Sequence, residues 1–435
     1  MSRGLKMFAA TVDMGVVKRT LVYVASGSAS ALVSFLLLPV LTKYLSPADY
    51  GVVEIFTTLA SCMTGIVLIG GNTILAKEYF DTVGLSRQKL IGSILGLTLA
   101  STAVLFLLLL VIGALGFPFH SLLKIRPSVL YAAVLFSLAI AIITLFTTLL
   151  QVEKRAAQYA YFVNSKTIIE ISASLVLIIT FGLRWQGRIA GMLIGAAAYT
   201  IVSLGLFFRR SVRLYFSKTE YRRLVLLGLP LVAAHVSVWA YGMVDRVMIS
   251  NLFDLTTTGL YSVGFRFASV VSMVESAFSI AWMPFFFENI RLRSPRTDAR
   301  IVRLTYTYIA GLLVFAVAFG IAAQWLLPAM VDNRFDEARH FTLLLCLGFG
   351  LCGSWKMFNG YLIAAGRTRL YGTITSVTAV LHVALTWWLL RRIGPMGAAW
   401  ATLLTYAFAT TATIIAAHRI YPMPWLAAFR RGTGI

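Results

Sequence analysis

The chain has 435 residues, of which 59% are hydrophobic and only 12% are charged, and its formal net charge is +22. A soluble domain carries about 25% charged residues, so this composition excludes an ordinary soluble protein and indicates a membrane protein. The positive charge alone would also suit a nucleic-acid-binding protein, but its distribution along the chain argues against that class.

Apolar segments of spanning length recur from one end of the chain to the other. Each has about 20 residues or more, enough to cross roughly 30 Å of hydrocarbon. We interpret them as helices, because backbone inside a bilayer must satisfy its own hydrogen bonds and a barrel would show alternation. The predicted fold class is therefore an all-α polytopic membrane protein with about twelve transmembrane helices. The segments lie near residues 17–40, 50–75, 90–117, 128–150, 160–182, 189–208, 224–252, 260–287, 304–327, 341–364, 371–390 and 396–417.

The basic residues predict the orientation of the chain. If the N-terminus is cytoplasmic, 25 of the 38 lysines and arginines fall in inside connections or at the termini, nine fall outside and four lie within segments. This bias is the positive-inside rule, and it predicts a multi-pass protein of the cytoplasmic membrane with both termini inside. It explains the basic connections by topology and by anionic lipid headgroups, so we expect membrane lipids and no nucleic acid as partners.

The chain divides into two similar halves, predicted as an N-terminal six-helix lobe over 1–215 and a C-terminal six-helix lobe over 216–435. Gly51 corresponds to Gly259, and Arg155 with Tyr159 corresponds to Arg367 with Tyr371, in the same order and at similar offsets. Because six is an even number, we expect the two lobes to be parallel repeats with a site between them at mid-depth. This architecture is typical of transporters.

Four stretches carry a family resemblance: LLLPVLTKYLSPADYGVVEIF, GLYSVGFRFASVV, AWMPFFF and RRIGPMGAAWATLLTY. They resemble the polysaccharide transporters (Wzx-like O-antigen flippases) of the multidrug/oligosaccharidyl-lipid/polysaccharide exporter superfamily, over essentially residues 15–420. The resemblance implies a two-lobed fold with a V-shaped central cavity. It also implies a substrate, a polyprenyl-pyrophosphate-linked oligosaccharide that moves from the cytoplasmic to the outer leaflet.

Charged residues inside the predicted segments are the candidate site, because a charge in lipid is costly and usually faces protein or water. A desolvated pyrophosphate favours arginine and lysine donors. The four cations are therefore candidate substrate contacts, and the four acids are candidate coupling or gating groups, since carboxylates at this depth often titrate or bind cations. The cations are Lys166, Arg246, Arg266 and Lys356, and the acids are Glu54, Glu170, Asp245 and Glu275.

The seventh segment places two opposite charges side by side. At 100° per residue, His235, Trp239 and Arg246 share a face, which predicts a passage lining with Trp239 as a sugar platform and Arg246 as a phosphate contact. Asp245 points about 100° from Arg246, so we expect the two not to neutralise each other. The alternative is that Arg246 pairs with an acid on another helix while Asp245 caps a neighbouring segment, a structural or gating role.

The other charges carry alternatives of their own. Lys166 and Glu170 are four residues apart and can form an intrahelical pair. Lys356 can receive the pyrophosphate on the inner side, with Arg246 and Arg266 on the outer side, or it can extend to the inner headgroups. Glu275 lies near mid-membrane, and Glu54 is an interfacial or gate contact near the outer surface.

Several enzyme signatures are absent from the sequence. There is no phosphate-binding GxxxxGK[ST] loop, no metal-type cluster of cysteine and histidine, and no outer connection longer than about a dozen residues. We therefore expect a non-enzymatic flippase without a cofactor, whose further partners are polysaccharide polymerase or other assembly proteins. The alternatives are a drug or metabolite cation antiporter of the same fold and a non-transporting scaffold of a polysaccharide assembly complex.

Overall fold

A computed structural model of the chain describes residues 32–118, 123–290 and 294–423, together with positions 22, 23, 25–27, 29 and 425. Several basic residues behind the predicted orientation lie outside these ranges: Arg3, Lys6, Lys18, Arg19, Arg291, Arg293, Arg430 and Arg431. So do both termini.

Within the described residues the secondary structure is helical. The α-helices are α1 Leu38–Tyr44, α2 Pro47–Leu68, α3 Gly71–Glu78, α4 Gly84–Ala114, α5 Pro127–Val152, α6 Ala156–Ile179, α7 Arg184–Arg209, α8 Lys218–Leu252, α9 Leu255–Ile290, α10 Pro295–Met330, α11 Arg339–Ala364, α12 Thr368–Ile393 and α13 Met396–Ile420. A 3-10 helix, Asn333–Ala338, precedes α11.

Eleven helices of the described ranges are long and apolar enough to cross a membrane. Ten of them contain α2, α4–α8 and α10–α13, and the eleventh spans Ala25–Tyr44 and ends with α1. The remaining predicted segment, 260–287, which is the eighth in chain order, lies inside the 36-residue helix α9. Their lipid-facing character is visible on α4, where Val104, Leu107, Leu108 and Val111 are all more than half exposed. The protein is a multi-pass membrane protein built from α-helices, as the sequence predicted.

The second predicted segment, 50–75, is wrong as a single helix. Helix α2 ends at Leu68, and Ile69 and Gly70 then adopt left-handed φ angles of 47° and 66° before α3 begins. A β-branched residue such as Ile69 rarely adopts this conformation. The hydropathy pattern therefore does not predict the break.

Contacts between residues divide the chain into two compact units. The first comprises Ala48–Trp239 with the described residues up to Leu36, and the second comprises Leu37–Pro47 with Ala240–Ile435. Residues 216–239, which include α8 as far as Trp239, therefore belong with the first unit. The predicted lobe boundary at 215 concerns the repeat in the sequence and stays a prediction.

The first unit has an aromatic core where α5, α6 and α7 meet. The rings of Phe146 and Phe162 lie 5.0 Å apart, and Phe162 contacts Tyr199 at 4.8 Å. Helices α6 and α7 pack closely because Gly191 has no side chain. A Cβ atom there would lie 2.2 Å from the Ser174 hydroxyl oxygen. Such small residues are how helices approach each other in lipid.

In the second unit the GPMGAA stretch forms the turn from α12 to α13. Gly394 has a φ of 70°, and the amide of Gly397 donates to its carbonyl at 2.8 Å. A Cβ atom on Gly397 would lie 2.4 Å from the Leu389 carbonyl carbon. Both glycines are therefore required by the turn geometry.

Candidate functional site

Asp245 and Arg246 form a buried ion pair in the second unit. Arg246 Nη1 lies 3.4 Å from Asp245 Oδ1 and donates to the Gly242 carbonyl at 3.1 Å. The Tyr261 hydroxyl donates to the other carboxylate oxygen. The guanidinium also lies 3.9 Å from the centre of the Phe265 ring, in cation–π geometry.

The prediction that these neighbours do not neutralise each other was wrong. Their Cβ atoms do diverge, but an arginine side chain is long enough to fold back along its own helix. The guanidinium reaches the carbonyl of Gly242, one turn earlier, and meets the carboxylate there. The angular spacing along a helix gives the direction of each Cα–Cβ bond, but a long, flexible side chain can place its terminal group in another direction.

His235 and Trp239 lie in the first unit and contact α2. The Trp239 indole N–H donates to the Thr58 carbonyl at 2.8 Å, and His235 Nε2 lies 3.1 Å from the Ser61 carbonyl oxygen. The two side chains are half-buried. They share a helix face as predicted, and both satisfy backbone carbonyls of α2. Arg246, predicted on the same face, has its contacts inside the second unit.

Glu170 is the centre of a three-residue cluster in the first unit. Lys166 Nζ lies 2.9 Å from Glu170 Oε2, which is the predicted intrahelical pair, and Arg188 Nη2 lies 3.2 Å from Oε1. Arg188 also donates to the Ser174 hydroxyl at 2.9 Å. Sequence reasoning missed Arg188, because it lies one position before the predicted segment 189–208, whereas the structure places it in the second turn of α7. The Glu170 carboxylate is thus within ion-pair distance of two cations.

Glu275 and Lys356 form a second intramembrane pair, between α9 and α11. Lys356 Nζ lies 2.5 Å from Glu275 Oε2, and the Ser279 hydroxyl donates to Oε1 at 2.6 Å. The Glu275 side chain is 2% exposed and the Lys356 side chain is 43% exposed. Gly353 provides the space for this contact, since a Cβ atom there would lie 2.7 Å from Glu275 Cγ. No sequence pattern indicated this partnership, because the residues are 81 positions apart.

Aromatic side chains surround the α11 part of this site. The Trp355 ring meets Tyr241 at 5.7 Å and Tyr406 at 6.2 Å. On α9 and α10, Phe278 stacks on Tyr308 with ring centres 3.9 Å apart. We call Lys356, Glu275 and these aromatic residues the Lys356 site.

Buried polar atoms without a hydrogen-bond partner occur in the Lys356 site and one turn further along α11. Among the described residues, no partner is found for the Trp355 indole N–H, the Asn359 amide oxygen or the Tyr308 hydroxyl. Trp355 and Asn359 are four residues apart and so share a face of α11. A buried donor and acceptor of this kind cost free energy unless something else satisfies them.

The last two candidates, Arg266 and Glu54, lie in different units. Arg266 is half-buried on α9, where its carbonyl accepts from the Ser269 hydroxyl at 2.6 Å. Glu54 is buried on α2, and the Thr57 hydroxyl donates to its carbonyl at 3.0 Å. The structure therefore groups the eight intramembrane charges as two pairs in the second unit, one cluster in the first, and these two residues.

The fold is that of membrane transporters. The chain superposes on the lipid II flippase MurJ, in its inward closed conformation, with a TM-score of 0.66 at 14% identity, covering 91% of this chain and 87% of that one. It superposes equally well on the MATE multidrug transporter DinF-BH, with a TM-score of 0.66 at 14% identity and coverage of 94% and 96%. At such low identity the likeness concerns the fold alone.

The sequence profile of the family described as "Polysaccharide biosynthesis protein" matches residues 16–290, well over half of the chain. The chain belongs to this family, which confirms the resemblance found in its sequence. It is also similar to the Lsg locus putative protein 1 of Haemophilus influenzae, with 22% identity over 388 residues, 85% of this chain and 90% of that one. An uncharacterized membrane protein of the same organism is 22% identical over 380 residues, 85% and 89% of the two chains.

Proposed function

We propose that this protein is a flippase that moves a polyprenyl-pyrophosphate-linked oligosaccharide across the cytoplasmic membrane by alternating access. The observation that carries the proposal is membership of the polysaccharide biosynthesis family, on a fold shared with a lipid II flippase. The product would enter a surface polysaccharide, such as O-antigen, lipopolysaccharide or exopolysaccharide. In this proposal the protein is not an enzyme, uses no cofactor and has both termini in the cytoplasm.

Lys356 is the strongest candidate contact for the pyrophosphate. Its ammonium is held by a buried carboxylate yet keeps 43% of the side chain exposed, so a second anion can approach it. The Trp355 N–H and the Asn359 oxygen, which have no partner among the described residues, would hydrogen-bond sugar hydroxyls. In the first unit, Lys166 and Arg188 outnumber Glu170, and this cluster would offer a second phosphate contact.

The remaining candidates have roles that follow from their burial. Arg246 is enclosed by Asp245 and Phe265, which supports a structural or gating role for the pair over direct substrate contact. Arg266 stays a proposed outer phosphate contact, and His235 and Trp239 would line the passage from α8. Glu275, Glu170 and Glu54 stay proposed coupling or gating groups. For Glu275 and Glu170, binding of a coupling cation would release the paired lysine or arginine.

The experiment is leaflet exchange in proteoliposomes that contain the purified protein and a fluorescent polyprenyl-pyrophosphate oligosaccharide, with a cationic dye measured in parallel. The flippase proposal predicts movement of the lipid-linked sugar and its loss in the Arg266→Gln/Lys356→Gln double variant, which leaves the buried Asp245–Arg246 pair intact. Movement of the dye alone would support the antiporter, a candidate because DinF-BH superposes equally well. If neither the dye nor a lipid that carries the native glycan moves, the result would favour the non-transporting scaffold.

A further inference from the structure

A groove lies where the first two turns of α12 meet the last three turns of α13, in the second unit. Its volume is about 790 Å³, and Arg367, Arg369 and Arg419 are among its lining residues. None of its lining residues belongs to the Lys356 site. The function proposed above makes no use of it.

The groove carries positive charge without a matching acid. Within the described ranges no aspartate or glutamate lines it, and none of its three arginines forms an ion pair. All three are exposed. The free backbone N–H groups at the start of the 26-residue helix α12 add to the field, because its N-cap residue Arg367 supplies no side-chain acceptor.

The rest of the groove is apolar. Ile374 on α12 and Ile415 on α13 provide the walls, and the small residues Ala412 and Ala416 leave the space between the helices. A basic end joined to an apolar channel fits an amphiphile that has an anionic head and a hydrocarbon chain. It does not fit a free sugar or a cationic drug.

We propose that this groove binds an acidic glycerophospholipid of the surrounding membrane. The arginines would hold the lipid phosphate in charge-assisted hydrogen bonds, and an acyl chain would lie between α12 and α13 along Ala412 and Ala416. The positive-inside rule assigns this end of both helices to the cytoplasmic leaflet, which supplies such a lipid.

The test is native mass spectrometry of the delipidated full-length protein, titrated with phosphatidylglycerol or with phosphatidylcholine of the same acyl chains. Wild-type protein should bind phosphatidylglycerol more tightly than phosphatidylcholine. The Arg369→Gln/Arg419→Gln variant should weaken that binding about 30-fold, because each basic residue near a lipid headgroup contributes about fivefold. The matched control, Arg391→Gln/Arg392→Gln, removes the same charge from the other end of α12 and should leave binding unchanged.

A second variant tests the channel without changing its charge. Ala416→Trp fills the space between the helices, so it should also release phosphatidylglycerol while its melting temperature stays near that of wild type. Equal wild-type affinity for the two lipids would overturn the proposal. An equal loss of phosphatidylglycerol binding in the Arg391→Gln/Arg392→Gln control would also overturn it. So would full displacement of phosphatidylglycerol by inorganic phosphate, or tighter binding of a polyprenyl phosphate than of phosphatidylglycerol.

Discussion

Glu275 and Lys356 form one ion pair but occupy different environments, since the carboxylate is buried and the ammonium side chain is 43% exposed. Removing the lysine therefore leaves a buried charge unpaired, whereas removing the acid leaves a cation that solvent can reach. We expect Lys356→Gln to cost about 3 kcal/mol of stability and Glu275→Gln to cost about 1 kcal/mol. Thermal unfolding in detergent would measure the difference.

The control for this pair is Lys218→Gln, at an exposed lysine in the first turn of α8, which should leave the melting temperature unchanged. Equal losses from Lys356→Gln and Glu275→Gln would show that the two environments do not differ as described.

Residue-level prediction succeeded where partners are close in sequence and failed where they are distant. Lys166 and Glu170 pair as their i, i+4 spacing indicates. The contact of Glu275 with Lys356 depends on how α9 and α11 pack, and the contact of Arg188 with Glu170 depends on how α7 meets α6. The periodicity of residues within one helix predicts neither of these packing arrangements.

At the scale of helices, α2 and α8 meet at Gly65. A Cβ atom on Gly65 would lie 1.8 Å from the His235 ring, whose Nε2 is 3.1 Å from the Ser61 carbonyl oxygen. We expect Gly65→Ala to displace that ring and cost about 1–3 kcal/mol. Gly205→Ala on α7 is the control, because nothing lies within 4 Å of its Cβ position, and its effect should be within about 0.5 kcal/mol.

A double variant separates this clash from other effects of the substitution. In a His235→Ala background the Gly65→Ala change should cost much less, since the ring is gone. An unchanged cost in that background would place the strain elsewhere.

A second helix-level prediction concerns the turn before α11. Asp332 accepts from the Arg334 amide at 3.1 Å and from its Nε at 2.7 Å, and Arg334 Nη2 then donates to the carbonyls of Thr42 and Lys43 at the end of α1. The hydrogen bonds from Arg334 lower the pKa of the Asp332 carboxyl. The stability they contribute is therefore present above the ordinary aspartate pKa of about 3.9 and is lost as pH falls through the lower folded value.

The Asp332→Asn variant should accordingly melt about 1–2 °C below wild type between about pH 5 and 8, a small shift because the pair is exposed. The gap should close as the pH drops below the folded pKa of Asp332. A gap that persisted in acid would mean that ionisation of Asp332 is not its cause.

The positions of the helices could be predicted well from hydropathy alone, because each must fill the bilayer thickness with apolar residues. What hydropathy could not predict is the break at Ile69 and Gly70, since backbone conformation there follows from packing. The amide of Thr73 donates to the Gly70 carbonyl at 3.0 Å to start α3, while a Cβ on Gly228 of α8 would lie 2.1 Å from the Ile69 carbonyl oxygen.

At the scale of the whole molecule, composition and charge distribution predicted a multi-pass membrane protein, and four short stretches predicted its family. Both are confirmed. Composition and family membership do not identify the substrate. The multidrug transporter DinF-BH and the lipid II flippase MurJ share this fold, so the fold alone does not determine the substrate, and we propose that side chains such as those of the Lys356 site do.

The most direct measurement is the initial rate of leaflet exchange for one oligosaccharide carried on a polyprenyl pyrophosphate or on the matching monophosphate, for wild-type protein and Lys356→Gln in proteoliposomes. If Lys356 contacts the pyrophosphate, wild type prefers the pyrophosphate lipid, and the variant slows that lipid about tenfold while slowing the monophosphate lipid less. Lys218→Gln should match wild type. An equal slowing of both lipids would reduce Lys356 to a structural residue, and exchange of neither lipid by wild type would contradict the flippase itself.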